Sequence, residues 1–281
     1  MLGQHGISNG EATELRPVVF LEAHPDAIRT VQEDGRTGLI ILNSPISDYK
    51  YFQRIYAHAS FRLCADGGAN RLHDLASRTH RELTWEEALR TVLPDIIHGD
   101  LDSLDDSVRQ RYEKLGVTIT KDPDQYSTDF GKAVKVVTEQ LPNVRDILIF
   151  GSVGGRVDQG IGLLGELYRE QITRHPEVRF WLFSESNVTT LLRPGTTIIH
   201  TPLESGLIEK NIGILPLYGP GKISTKGLEW DVEDWPTQIG GQVSTSNHIV
   251  APQISITTDL EMLFTVERKI VNEPRQTVAG S

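Results

Sequence analysis

The chain has 281 residues, 38% hydrophobic and 23% charged, with 28 basic and 38 acidic side chains for a net charge of −10. This is the profile of a soluble globular protein of one large or two ordinary domains. It argues against a nucleic-acid surface, which is normally basic, yet permits an anionic ligand if a cation shields it.

A single cysteine, Cys64, rules out an internal disulfide framework and fits a reducing, cytoplasmic setting. The opening "MLGQHGISNGEATELRP" has neither a basic nor an apolar signal region, so no signal peptide is expected. No apolar run approaches the roughly 18 residues of a membrane span. Residues 1–16 are expected to form a mobile tail.

In chain order, "GLIILNSP" (38–45) reads as a strand and "SDYKYFQRIYAHA" (47–59) as a helix, with Phe52, Ile55, Tyr56 and Ala59 on one stripe. "FRLCAD" is the next strand, "ANRLHDLA" begins a helix, and residues 81–93 read as another. "DIIHGD", "VTIT" (117–120) and "DILIFGS" (146–152) are further strands. In "STDFGKAVKVVTEQL" (127–141), Phe130, Ala133, Val134, Val137 and Leu141 share a helical face, and Ser127 or Thr128 can cap it. Strands alternating with helices predict a parallel, helix-covered, Rossmann-like α/β domain over residues 17–176. A helix over 157–170 and "RHPEV" would form a joint. Beyond it, short strands punctuated by Gly, Pro, Asn and Asp predict a β-sandwich or barrel-like domain over 177–281.

In a parallel sheet, ligands bind at the carboxyl ends of the strands. Four successive strand ends here carry acid: Asp66 before Gly67 and Gly68; Asp100 and Asp102; Asp124, Gln125, Asp129 and Lys132; and a glycine-rich turn with Arg156 and Asp158. Any one such Asp could be a turn former or helix cap. In extended backbone, residues i and i+2 point the same way, so Asp100 and Asp102 should project together and repel unless a cation intervenes. Oxygen ligands without His or Cys suit Mg²⁺, which commonly shares substrate phosphates. His98 reads as a packed neighbour, and Asp105 and Asp106 as a solvated helix start. "GPGKIST" (219–225) is no P-loop: Pro216 stands where the first glycine belongs, Ile223 follows the lysine, and no helix comes after.

"ADGGANRL" (65–72), "PDIIHGDLDSL" (94–104), "DQYSTDFGKAV" (124–134), "FGSVGGRVDQ" (150–159) and "ISTKGLEWDV…GGQVSTSN" (223–247) resemble, in order, the motifs of thiamine pyrophosphokinase. The likeness runs from about residue 38 to 270. It departs from the family in an extended N-terminus, an insertion-like stretch at 77–93 and the region 207–222. The resemblance implies transfer of a pyrophosphoryl group from ATP to the thiamine hydroxyl, with Mg²⁺, by a homodimer whose active sites lie between the α/β domain of one subunit and the β domain of the other. It further implies that Asp100 and Asp102 hold the metal, with Asp129 a third ligand or the general base and Asp66 in support. Lys132 and Arg156 would offset phosphate charge, and Gln125 and Asp158 would position nucleotide or thiamine. Trp230 would stack on the cationic thiazolium, and Ser246 and Asn247 would bond the pyrimidine. Clustered acids would equally suit a metal-dependent phosphohydrolase or a non-catalytic nucleotide- or vitamin-binding protein.

Overall fold

The computed structural model describes residues 12–23, 36–124, 126–151 and 153–270. The strands are β1 (Thr13–Leu15), β2 (Thr37–Ile41), β3 (Phe61–Ala65), β4 (Ile96–Gly99), β5 (Thr118–Lys121), β6 (Asp146–Phe150), β7 (Arg179–Phe183), β8 (Asn187–Leu192), β9 (Gly195–His200), β10 (Ile208–Leu215), β11 (Gly221–Lys226), β12 (Trp235–Thr237), β13 (Ser244–His248), β14 (Gln253–Thr258) and β15 (Met262–Arg268). The helices are α1 (Tyr49–Ala57), α2 (Gly68–Thr79), α3 (Trp85–Arg90), α4 (Asp106–Lys114), α5 (Asp129–Gln140) and α6 (Val157–Tyr168), the last running into a π-helical turn, Arg169–Arg174.

Ten strands form one mixed sheet in the order β13-β10-β15-β8-β7-β6-β2-β3-β4-β5, and five form a second in the order β1-β9-β14-β11-β12. The β2–β7 half of the large sheet is parallel, as expected. Leu39, Ile40 and Ile41 of β2 are fully buried, because helices cover both faces and leave no polar side to alternate with. Ile40, Leu63, Ile147 and Ile149 pack on one face with Phe130, Ala133, Val134 and Val137 of α5. Leu39, Ile41, Cys64 and Ile97 pack on the other with Phe52, Ile55, Leu72 and Leu75 of α1 and α2. Each fully buried aliphatic side chain contributes about 1.5–3 kcal/mol, so a charge at Val137 would detach α5. Helix starts follow local chemistry: Asp48 caps α1, Thr128 caps α5, and Thr84 with Glu87 closes a capping box that starts α3 after the expected residue 81.

Hydrogen bonding continues past residue 176. β7 pairs parallel with β6 and antiparallel with β8, so the large sheet passes from helix-covered to strand-covered without a break. Ile199, Ile254 and Ile256 of the small sheet share a core with Ile212, Ile214, Phe264 and Val266 of the large one. One layer of the sandwich is thus an extension of the parallel sheet. The expected tail needs correction: Thr13–Leu15 pairs in parallel with β9, and Leu15 is buried, because the edge of β9 and the core beneath it accept a short strand. "GPGKIST" is the start of β11, paired to β12 and β14, in keeping with its reading as no P-loop.

Candidate active site

In the parallel half, chain order reverses around β2: β3, β4 and β5 lie on one side, β6 and β7 on the other. The loops after β2 and β6 therefore diverge, leaving a crevice where ligands bind in such sheets. A cleft of about 760 Å³ opens there, lined by Asn43–Pro45 after β2, Gly154–Arg156 after β6, and Asp66, Asp100 and Asp129.

Three carboxylates converge on this cleft. Oxygens of Asp66, Asp100 and Asp129 lie within 4.8 Å of one another. Each is delivered by a different local device. Asp66 leaves β3 in the left-handed region, φ 43°, unusual for a non-glycine residue, and is buried. Asp100 follows Gly99, where a β-carbon would lie 3.0 Å from the Asp66 β-carbon and 3.3 Å from Asp129 Oδ1. Asp129 is the first residue of α5. The α2 N-terminus also reaches the cleft because a β-carbon on Gly68 would lie 2.2 Å from the Ile41 carbonyl oxygen. Only glycine permits that approach.

The expected direction of Asp102 needs correction. The chain is not extended after Gly99: Leu101 has φ 63°, which turns the backbone so that the Asp102 N–H donates back to Asp100 Oδ1 at 3.3 Å. Asp102 is exposed and lies outside the three carboxylates that converge, although its charge still acts on Asp129. The period-two rule fails because it presumes the strand continues.

Burial, the Asp129 charge and the Asp100 charge raise the Asp66 pKa, against hydrogen bonds from Ser103 that lower it. Burial first, then the charges of Asp100 and Asp102, raise that of Asp129, with Lys132 and the Asp100 N–H opposing. Asp66 Oδ2 accepts from Ser103 N–H at 3.2 Å, while Oδ1 is buried with no hydrogen-bond partner among the described residues. An all-carboxylate donor set with an orphaned buried oxygen fits a hard divalent cation.

Lys132 is buried. Its Nζ donates to the Asp122 carbonyl at 3.1 Å and stands 4.0 Å from Asp129. Arg156 lines the cleft and is held by Asp158 at 3.2 and 2.5 Å. In the ligand-free chain this exposed ion pair joins the two side chains. Gln125 lies outside the described residues. His98 is packed, with Nδ1 2.7 Å from Thr120 Oγ1, and Asp105–Asp106 begins α4, as expected.

Sequence reasoning missed Asn70. Its amide donates to the Ser103 carbonyl at 2.7 Å and accepts from Asp105 N–H at 3.1 Å, tying the Asp100–Ser103 turn to α2. The local signal was its place two residues after the glycine pair. Asn43 and Glu166, which also line the cleft, carried no such signal.

Trp230 lies between β11 and β12 with half its surface exposed, 54%. Asn247 does not face outward: it is buried, its Oδ1 accepts the Trp230 N–H at 3.2 Å and its Nδ2 donates to the Trp230 carbonyl at 2.9 Å. It holds Trp230 through both ends of its amide, which leaves one Nδ2–H for any further partner. Ser246 is exposed, with φ 57°. Trp230 and the acids are not neighbours along the sheet. In the order of the large sheet, β13, whose Asn247 holds Trp230, stands eight strand positions from β4.

Sequence profiles described as "Thiamin pyrophosphokinase, catalytic domain" and "Thiamin pyrophosphokinase, vitamin B1 binding domain" match residues 52–180 and 196–263. A thiamine pyrophosphokinase of Arabidopsis thaliana is 33% identical, covering 83% of this chain and 87% of its own. That of Saccharomyces cerevisiae is 30% identical over 84% and 86%. The crystal structure of yeast thiamin pyrophosphokinase superposes with a TM-score of 0.78 at 27% identity, covering 94% of this chain and 93% of that one. With both profiles in order and relatives matched over most of their length, the chain belongs to the thiamine pyrophosphokinase family.

Proposed function

We propose that this chain transfers the pyrophosphoryl group of ATP to the hydroxyl of thiamine, giving thiamine diphosphate and AMP. The observation that carries the reading is the convergence of Asp66, Asp100 and Asp129 at the switch-point cleft. The oxygen of the thiamine hydroxyl attacks the β-phosphorus. The bond from that phosphorus to the oxygen bridging it to the α-phosphorus breaks, and AMP leaves. The hydroxyl proton passes to a base.

Asp66, Asp100 and Asp129 would hold Mg²⁺, which when bound neutralises phosphate charge. Asp129, the first residue of α5 and at the cleft, is alternatively the candidate base. Lys132, fixed by Asp122, supplies a positive charge that needs no reorganisation during the reaction. Arg156, exposed and on a flexible stem, can exchange Asp158 for a phosphate oxygen. Trp230 offers an indole face to the thiazolium, an attraction on the order of 0.5–2 kcal/mol. Ser246 is the remaining candidate for the pyrimidine.

The span of the sheet supports a homodimer. Eight strand positions, at about 4.8 Å each, lie between the strand that holds the indole and β4, a longer span than one thiamine covers. α6 presents Val157 and Ile161, 72% and 66% exposed, beside the cleft lined by Gln159, Leu163 and Glu166. Covering that apolar edge with the Trp230 region of a second copy would complete two equivalent sites. No helix among the described residues is long and apolar enough to cross a membrane. Cys64 is buried.

The deciding assay is incubation with ATP, Mg²⁺ and thiamine. AMP should appear only when thiamine is present. Phosphate release without an acceptor, or ATP binding without AMP, would overturn the assignment.

A further inference from the structure

Behind Trp230, His248, one residue beyond the last quoted motif, forms a closed set with Glu229 and Asn247. His248 leans against the indole, ring centroids 5.0 Å apart at 44°. Its Nδ1 lies 2.5 Å from Glu229 Oε2. The Glu229 N–H donates to the His248 carbonyl at 2.8 Å, and Leu228 bridges Ile249. Segments 228–230 and 247–249 thus run as a short antiparallel ladder, with Asn247 fixing the Trp230 backbone and His248 the ring. An exposed indole would ordinarily sample several rotamers. Here one side is backed by an imidazole that is itself held by a carboxylate.

We propose that His248, oriented by Glu229, is a positioning residue that pre-sets the Trp230 ring as a platform for the cationic ring of thiamine. This rests on the reading of Trp230 as the thiazolium contact. Two physical effects follow from the geometry. The backed indole loses little conformational freedom on binding, which favours affinity. The His248–Glu229 pair also carries no net positive charge in either protonation state of the imidazole: zero if it is protonated, minus one if it is neutral. An unpaired imidazolium at this place would repel a cationic ligand, and the Glu229 carboxylate prevents that.

The test is calorimetric titration of thiamine and, separately, of Mg–ATP into the full chain and its variants. His248→Ala should weaken thiamine binding about fivefold and leave Mg–ATP binding where it was. His248→Phe, which keeps a ring behind the indole, should recover most of the loss. Glu229→Gln should fall between. The Trp230 fluorescence, isolated as the difference from Trp230→Phe, should broaden and shift in His248→Ala but not in His248→Phe. If Trp230→Ala weakens thiamine binding while His248→Ala does not, the positioning role is wrong and the platform stands. If Trp230→Ala leaves thiamine binding unchanged, the platform itself is wrong and the inference falls with it. Should His248→Ala fail to fold, Glu229→Gln with unaltered thiamine affinity and fluorescence overturns the proposal by itself.

Discussion

Ser103 donates its backbone N–H to the Asp66 carboxylate, 3.2 Å away, across 37 residues of sequence. This one bond locks the turn that carries Asp100 onto the strand end that carries Asp66, and Asn70 secures it from the other side. The carboxylates are therefore held together against their own repulsion. A carboxyl whose pKa is higher folded than unfolded binds more protons when folded. Its favourable contribution is complete below the ordinary value of 3.8 and is lost as pH rises through the raised folded value. At neutral pH, Asp66 and Asp129 thus oppose folding of the metal-free protein. Asp129→Asn should raise the metal-free Tm at pH 7 and lose that advantage below pH 4. Mg²⁺ should stabilise the wild type, by about 2.7 kcal/mol at one hundred times its Kd, and the variant less. Thermal melts with and without Mg²⁺ across pH read both effects, and equal Tm values at pH 7 would contradict the repulsion.

The same substitution separates binding from chemistry. Asp129→Asn keeps the side-chain volume and an acceptor oxygen but removes the basic group. Turnover should fall by about 10²–10³ while ATP binding, measured by calorimetry, changes little. Near-normal turnover would remove Asp129 from the proton transfer.

A shared active site makes complementation possible. Asp129→Asn and Trp230→Ala subunits, each impaired alone when assayed at thiamine well below the KM of Trp230→Ala, should regain activity when unfolded together and refolded. Random pairing makes half the dimers mixed, each with one intact site, so about one quarter of wild-type activity is expected. No recovery would mean that each subunit works with its own residues.

Gly68 and Ile41 test the architecture. A β-carbon at Gly68 would lie 2.2 Å from the Ile41 carbonyl oxygen, and neither backbone can yield without shifting α2. Gly68→Ala should destabilise the protein by about 1–3 kcal/mol and disturb ATP binding, since the helix start borders the cleft. Gly116→Ala is a contrast in which added volume meets nothing and only the positive φ of 78° is penalised. Denaturant unfolding of both variants compares the two effects directly.

Arg156 and Asp158 should respond in opposite directions. Arg156→Ala removes a charge facing the cleft and should raise the KM for ATP. Asp158→Ala releases Arg156 from its ion pair and should leave that KM unchanged or lower it. Parallel losses in both variants would show that Asp158 acts on a ligand itself.

Much of this was legible in the sequence because it is local. The stripe of Phe130, Ala133, Val134 and Val137 specifies α5, Thr128 specifies its start, and unbroken apolar runs specify buried parallel strands. Acids at strand ends marked the cleft, since the carboxyl edge of such a sheet is where ligands bind. Asp102 was misplaced because a single left-handed residue, Leu101, reverses a direction that strand periodicity takes for granted. The hold of Asn247 on Trp230 was not legible, because its sequence neighbours do not reveal that its amide faces Trp230, 17 residues away.

The amino-acid sequence by itself determined the elements, the residue types of the site and the motifs that place the chain in its family, all set by short-range propensity and pattern. Only the tertiary structure decided which three carboxylates meet, that one sheet runs through both halves of the chain, and that His248 backs an indole far from the acids. Those outcomes depend on strand order and on turns of one or two residues, where long-range packing selects among conformations that local chemistry leaves nearly equal in energy.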